Sequence, residues 1–185
     1  MSFTVPLATT TKYGVIKVGS GLNVTDGVVS VVPGASTAFG YFSDNTVQSH
    51  ITPNTAKAVD FNTTGDTNNI TDGTGSQVKT LVPGTFSIVF TVSINKPSGA
   101  TSVISLWLQR NGIDVANSRQ DITVANQTDN LFATGNYVLT LAANDYVQIM
   151  WSVTNIIATL VSLPATNGLT PRPALPSARI TIAQI

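Results

Sequence analysis

The sequence of 185 residues contains no cysteine, no glutamate and a single histidine, and charged residues make up only 10% of it. With these side chains the protein cannot build a Cys/His zinc site, an iron–sulfur site or a cysteine nucleophile. Nine Lys plus Arg balance nine Asp, so the formal net charge is zero. That balance removes the long-range attraction that draws basic proteins to nucleic acid or to anionic membranes. We therefore expect no nucleic-acid or membrane partner, no metal and no cofactor.

The residues that are present favour strands over helices. Hydrophobic residues make up an ordinary 42% of the chain, and Thr, Asn, Ser and Gln supply its polarity. Thr favours strands, whereas the missing Glu and scarce Lys leave little material for solvated helix faces. No run of about 18 apolar residues predicts a membrane span, and the first residues do not resemble a signal peptide. The composition predicts an all-β protein.

The first twelve residues read as an extended arm. Phe3, Val5 and Leu7 alternate with polar or cyclic residues, which is the period of a strand. Pro6 has no N–H group, so a strand here must lie at the edge of a sheet or be added to one. We interpret residues 1–12 as an extended arm that carries these three apolar side chains.

Residues 13–34 predict a short β-hairpin stalk. Asp26-Gly27 between two β-rich segments is a strong two-residue turn signal, because both turn positions need a positive φ. A lone hairpin is marginal in water, so its apolar side needs a cover. Three copies around an axis would supply that cover, and so would the domain that follows. The turn places Val24 opposite Val29 and Leu22 opposite Val31, and these four residues are the predicted stalk-packing set.

Residues 35–185 predict a head domain made of short strands with turns between them. Apolar residues recur at every second position from Phe86 to Ile94, and Asn111-Gly112 marks a hairpin. Spacing of this kind indicates an antiparallel sandwich or jelly roll. Two stretches, Asn62 to Ser76 and Leu160 to Ser177, are rich in turn formers or proline and are expected to be loops.

Catalytic and metal candidates are weak. His50 is the only histidine and no G-x-S-x-G motif accompanies it, so we expect a surface or interface histidine and no enzyme. Most Asp residues fall at turns, where they serve turn geometry. Asp66, Asn68 and Asp72 alternate as calcium ligands do, but Ile70 takes the place of the third EF-hand ligand. Calcium in this loop is left as an open alternative.

Large apolar residues lie on both faces of the middle strands. Trp107, Tyr146 and Met150 alternate with a set that includes Leu106 and Ile149. One of these two sets fills the sandwich, and the other must be buried elsewhere. A trimer interface would bury Trp107, Tyr146 and Met150, and so would a second contact within the same chain.

Residues 38–185 resemble the complement/tumour-necrosis-factor-like family of trimeric jelly rolls. Four segments carry this resemblance: P-G-T-F-S-I-V-F-T-V-S-I from Pro83, I-S-L-W-L-Q-R-N-G-I-D-V-A from Ile104, G-N-Y-V-L-T-L-A-A-N-D-Y-V-Q-I-M-W-S-V from Gly135, and the final A-R-I-T-I-A-Q-I. The segment A-T-T-T-K-Y-G-V-I-K-V-G-S-G-L-N-V-T-D-G-V-V-S-V from Ala8 is similar to bacteriophage tail-fibre and head-fibre proteins and to trimeric viral fibre shafts. No collagen-like Gly-X-Y run is present, which argues against a complement-type protein.

Together the two resemblances imply a homotrimeric phage structural protein, without enzymatic activity, located in the virion. The first hypothesis is a capsid decoration, cement or head-fibre protein on the capsid exterior. The resemblance then implies that residues 1–12 are its anchoring arm and that Phe3, Val5 and Leu7 hold it on the major capsid protein or another virion protein. The alternative is a tail or baseplate fibre whose head binds a receptor. In that case the loop at Leu160 or the Asn62–Ser76 loop would contact a host-surface glycan.

Overall fold

The computed structural model describes residues 22–25, 28–31, 37–125 and 127–185. The chain divides into two compact units, Met1–Ser36 and Thr37–Ile185. The described residues form strands, turns and irregular segments, and no helix among them could cross a membrane. The strands in chain order are β1 (Leu22–Thr25), β2 (Val28–Val31), β3 (Phe39–Asp44), β4 (Lys57–Ala58), β5 (Thr63–Asn68), β6 (Ile70–Asp72), β7 (Val78–Thr80), β8 (Gly84–Lys96), β9 (Ser102–Arg110), β10 (Ile113–Asp114), β11 (Gln120–Val124), β12 (Gln127–Leu141), β13 (Tyr146–Val153), β14 (Thr159–Leu160) and β15 (Ala178–Gln184).

In the first unit, β1 and β2 form an antiparallel pair. Leu22 lies opposite Val31 and Val24 opposite Val29, so the predicted hairpin register is confirmed. The predicted turn residues, Asp26 and Gly27, lie outside the described residues. Whether the four apolar residues pack a stalk stays a prediction.

One sheet of the second unit has seven strands. Its main order is β10-β9-β13-β7-β6, with β11 also paired to β9 and β4 also paired to β13. Along β9 and β13, buried residues alternate with half-buried ones, as the two-residue period of the sequence predicts. Asn111 and Gly112 join β9 to β10 with φ angles of 52° and 79°, and positive values at both positions are what a two-residue hairpin turn requires.

The other sheet has six strands in the main order β12-β8-β15-β3-β5, with β14 also paired to β8. Its strand pairs are antiparallel, and the longest ladder joins β12 to β8 from Leu141 opposite Gly84 to Gln127 opposite Lys96. The last strand in the chain, β15, lies between β8 and β3 and pairs with both.

The inward-facing residues of both sheets form one hydrophobic core. Trp151 and Leu106 come from the seven-stranded sheet, Phe42, Phe86 and Phe90 come from the six-stranded sheet, and all five are fully buried. Burying a side chain of this size contributes roughly 1.5–3 kcal/mol, so this core is the main source of the domain's stability. The all-β sandwich predicted from the sequence is present.

The two stretches predicted as loops differ in outcome. Residues 62–76 include β5 and β6, so that prediction was wrong. The strand β5 pairs with β3, and Asn69, with a φ of 55°, joins β5 to β6. The stretch that begins at Leu160 is irregular after β14 up to β15, apart from two isolated bridges, Leu163 to Leu175 and Thr166 to Arg172.

Candidate functional site

The three residues predicted for a trimer interface lie on the outer face of the seven-stranded sheet. Met150 on β13 stands opposite Trp107 on β9, and Tyr146 stands opposite Lys79 on β7. Trp107, Tyr146 and Met150 are all half-buried within this chain. The predicted anchors Phe3, Val5 and Leu7 lie outside the described residues.

The indole of Trp107 is fixed by a neighbouring carboxylate. Its Nε1 donates a hydrogen bond of 2.7 Å to Oδ1 of Asp114, and Nε2 of Gln109 donates to the same oxygen at 2.8 Å. The tight Asn111-Gly112 turn makes this possible, because it returns Asp114 to the position opposite Gln109 on the same sheet face. The hairpin therefore sets the orientation of the ring.

An open groove of about 670 Å³ lies beside this indole. Arg119 and Asp121 line it as a two-pronged ion pair, with Arg119 Nε and Nη2 donating to the two carboxylate oxygens at 2.8 and 2.6 Å. These hydrogen bonds, together with one from Ser105, lower the pKa of Asp121 from its ordinary value. The groove also has a neutral polar lining that includes Asn54, Asn117, Ser152 and Thr154. We call it the Trp107 groove.

The outer face of the six-stranded sheet, which we call the six-stranded face, carries exposed apolar side chains. Phe39 and Tyr41 on β3 are 42% and 38% exposed, and Phe132 and Val138 on β12 are 57% and 60% exposed. Phe39 shares a cross-strand row with Val138 through Ala183 and Ser87. The apolar groups therefore form two clusters, one on β3 and one on the edge strand β12.

The same face carries few charges. Among the described outward positions of β3, β8, β12 and β15, only Arg179 is charged, and the edge strand β5 adds the exposed Asp66 next to β3. Neutral hydroxyl pairs fill part of the remaining surface: Thr85 Oγ1 lies 3.2 Å from Thr140 Oγ1, and Thr91 Oγ1 lies 3.1 Å from Thr134 Oγ1. The seven-stranded sheet, in contrast, carries Lys79, Asp114 and Asp121 on its outer face.

His50 is buried, so the expectation of a surface histidine was wrong. Its ring stands edge-on to Trp151, with 4.2 Å between the ring centroids. Burial and the positive charge of Lys57 lower the pKa of His50, and a hydrogen bond with the backbone of Trp151 opposes this shift. Among the described residues, Nε2 of His50 has no hydrogen-bond partner.

The residues considered for calcium serve the local fold. Asn68 donates from Nδ2 to the carbonyl oxygen of Thr37 at 3.1 Å, and Asp72 accepts from the N–H of Gly75 at 2.8 Å. The described residues contain no group of three or more His, Asp, Glu or Cys arranged to hold a metal ion. Asn68 thus holds the end of β5, and Asp72 holds the turn between β6 and β7.

Two crystal structures of murine APRIL, at pH 8.5 and at pH 8.0, are similar to this chain with TM-scores of 0.48 and 0.50. Each comparison has 10% sequence identity and covers 80% of this chain and 99% of the APRIL chain. The chain has a tumour-necrosis-factor-like jelly-roll fold. The fold class predicted from the sequence is thus confirmed. No family model matches the sequence, and no curated protein does.

The six-stranded face was missed at the level of sequence. Phe39 and Tyr41 flank Gly40 with the two-residue period of a strand, but Phe42 follows at once and obscures which aromatic side chains face the core. Phe132 and Val138 are six residues apart, an even spacing that places them on one face of the same long strand. The signal was present in each strand, but only the sheet order brings the strands into one surface.

Proposed function

We propose that this protein is a non-enzymatic structural protein whose jelly-roll domain assembles into a homotrimer through the six-stranded face. The observation that carries the proposal is that exposed apolar side chains on β3 and β12 coincide with few charges, Arg179 and the edge residue Asp66. Interface cores are depleted of charged residues and enriched in aromatic ones. A large exposed apolar patch on a protein surface commonly marks an interaction site.

The position of the two apolar clusters favours a ring over a dimer with twofold symmetry. In a ring each copy contributes two different patches, one to each neighbour. Phe132 and Val138 lie on the edge strand β12, whereas Phe39 and Tyr41 lie three strands away on β3, a separation of about 14 Å. In the proposed trimer, the β12 cluster of one copy contacts the β3 cluster of the next, and three such contacts close the ring.

We further propose that the trimer belongs to a bacteriophage virion, as a decoration, cement or head-fibre protein on the capsid exterior. Support comes from the fibre-like segment from Ala8 to Val31 and from the alternating apolar residues Phe3, Val5 and Leu7. In this proposal the arm binds the major capsid protein or another virion protein, and the head projects outward. The charge-poor, cysteine-free composition suits a component that persists outside the cell.

The molecular mass in solution tests the assembly. Light scattering of the full chain should give three times the chain mass of 19.3 kDa. Tyr41→Lys and Val138→Lys each place a charge in the proposed contact and should shift the protein toward monomer. Met150→Lys on the other sheet is the matched control and should leave the trimer intact. If Met150→Lys dissociates the trimer and the other two variants do not, the interface lies on the Trp107 side; a monomeric wild type would contradict the trimer altogether.

Particle binding tests the virion role separately. Deleting residues 2–12 should abolish binding to the particle while leaving the circular dichroism spectrum and the trimer mass of the protein unchanged. Immunogold imaging of intact particles then distinguishes the capsid from the tail or baseplate. Particles that carry no label at any position would contradict the virion role.

A second candidate function is that of a tail or baseplate fibre whose head binds a receptor on the host surface. The Trp107 groove favours this alternative, because it offers a fixed aromatic ring and polar groups on a surface that the proposed trimer contact does not use. Labelling confined to the tail, together with binding to host cells by the isolated protein, would support it over the capsid role.

A further inference from the structure

We propose that the Trp107 groove is a binding site for a neutral oligosaccharide. The inference goes beyond the assembly role, because the groove lies on the seven-stranded sheet and the proposed trimer contact lies on the six-stranded one. An occupied groove and an intact trimer are therefore separate properties of the molecule, and each can be lost without the other.

The aromatic part of the site is Trp107. An indole offers a broad apolar surface, and the apolar C–H face of a pyranose ring fits such a surface. The hydrogen bond from Nε1 of Trp107 to Asp114 holds the ring in one orientation before any ligand arrives. A ring that is already fixed loses little conformational entropy on binding, which favours affinity.

The polar part of the site is equally fixed. Arg119 holds both oxygens of Asp121 in place, and the carboxylate, like any Asp at or below its ordinary pKa of 3.8, is ionised and accepts hydrogen bonds near neutral pH. Asn54 and Asn117 also line the groove, and their φ angles of 57° and 61° set them in tight turns. Each Asn amide offers a donor and an acceptor, which is the combination that sugar hydroxyls require.

The lining disfavours other ligand classes. Asp114 and Asp121 outnumber Arg119, so a nucleic-acid strand would meet a net negative charge instead of the positive groove it needs. A wholly apolar ligand would leave the polar side chains of the lining without partners, and burying them unpaired costs free energy. These side chains are Asn54, Asn117, Ser152 and Thr154. The groove is open rather than enclosed, which suits several linked sugar units better than a single small molecule.

Tryptophan fluorescence provides the test, because the chain has only two tryptophans and Trp151 is fully buried. The full-length protein is titrated with soluble hexasaccharides of glucose, of mannose, of galactose and of N-acetylglucosamine, up to about 10 mM. We expect a saturable blue shift with at least one of them. Isothermal titration calorimetry with that sugar then measures affinity in the variants, independently of their fluorescence.

Three variants locate the site. Trp107→Ala should weaken binding roughly thirty-fold, the typical effect of truncating a central aromatic contact. Trp107→Phe keeps a ring and should recover part of that loss, and Asp121→Asn should weaken binding about ten-fold. The control Leu81→Ser changes a side chain that is 48% exposed between β7 and β8 and does not line the groove, and it should bind as the wild type does.

Two results would overturn the proposal. The first is no saturable change with any of the four sugars, and the second is unchanged affinity in Trp107→Ala. The trimer mass of each variant is measured in parallel. A variant that stays trimeric but no longer binds sugar supports the groove, and a protein that binds sugar as a monomer contradicts the proposed assembly alone.

Discussion

Asp145 in the turn between β12 and β13 accepts two hydrogen bonds from Arg110 at the end of β9, at 3.0 Å from Nε and 2.6 Å from Nη2. Asn111 Nδ2 donates to the other oxygen, Oδ1, at 2.7 Å, and the N–H of Ala142 donates at 2.8 Å to Oδ2, the oxygen that Arg110 contacts. One carboxylate therefore ties the β9–β10 hairpin, which positions Asp114 beside the indole of Trp107, to the turn that leads from β12 in the other sheet into β13, the neighbour of β9.

The first prediction concerns the acid sensitivity of this link. The hydrogen bonds from Asn111, from the Ala142 backbone and from Arg110 lower the pKa of Asp145 below its ordinary value of 3.8. Because the folded-state pKa is lowered, the stabilisation is complete above the unfolded value and is lost as the pH falls through the folded value. Asp145→Asn should cost about 1–2 kcal/mol near pH 7.

Urea unfolding of the wild type and of Asp145→Asn, from neutral pH down to about pH 2.5, checks this expectation. The difference between the two proteins should shrink as the pH falls. A difference that stays constant over the whole range would contradict the assigned role of the carboxylate.

The second prediction concerns His50. Burial lowers its pKa from the ordinary value of 6.5, so the unfolded chain binds more protons than the folded one just below that value. Stability should be complete above the unfolded pKa and should fall as the pH drops below it. His50→Phe keeps a ring against Trp151 and removes the titrating group.

Thermal melting between about pH 8 and pH 5 measures the effect. The wild-type melting temperature should decline toward acid over this range, whereas that of His50→Phe should change less. Parallel declines in the two proteins would assign the pH dependence to another group.

The third prediction concerns Gly135 on β12, which stands opposite Phe90 on β8. A Cβ atom at this position would lie 2.6 Å from Cζ of Phe90, a fully buried side chain. Gly135→Ala therefore forces the core to shift, and we expect a loss of about 1–3 kcal/mol in the free energy of unfolding.

Gly168 is the matched control, because a Cβ atom there would meet no heavy atom within 4 Å. Gly168→Ala should leave the free energy of unfolding within about 0.5 kcal/mol of the wild type. Chemical denaturation of both variants makes the comparison, and equal losses would show that the contact with Phe90 is not the cause.

The fourth prediction concerns the division of the chain at Ser36. Among the residues whose burial the structure describes, the core of the second unit runs from Ala38 to Ile182. A protein that starts at Thr37 should therefore fold, with a melting temperature within a few degrees of the full chain. Calorimetry checks this, and a fragment without a cooperative transition would show that the first unit is needed for folding.

The sequence predicted those elements whose signals are local. The register of β1 and β2 follows from the Asp26-Gly27 turn signal alone, because the turn type fixes which residues stand opposite each other. The long strand β8 has an apolar residue at every second position from Phe86 to Ile94, and these residues form its buried inner face. Both features depend on short stretches of chain.

Features that depend on distant residues were not predictable in the same way. Thr63 to Asn68 carries no apolar period, because β5 is exposed along nearly all its length and is held to β3 by backbone pairing. His50 follows the polar residues Gln48 and Ser49 in the sequence and is buried because the fold places it against Trp151. The Trp107 groove likewise needs Asn54 and Asn117 beside β9, a proximity that no local pattern indicates.

The central position of β15 has a consequence for the order of folding. Because β15 pairs with β3 on one side and with β8 on the other, the six-stranded sheet stays in two halves until the chain has been synthesised as far as Gln184. Until then β3 and β8 each present an unpaired backbone edge, and such edges promote aggregation. Closure also requires contacts between residues more than a hundred positions apart, which slows folding. The nascent chain therefore passes through a vulnerable interval, and its productive yield depends on how quickly the last strand inserts.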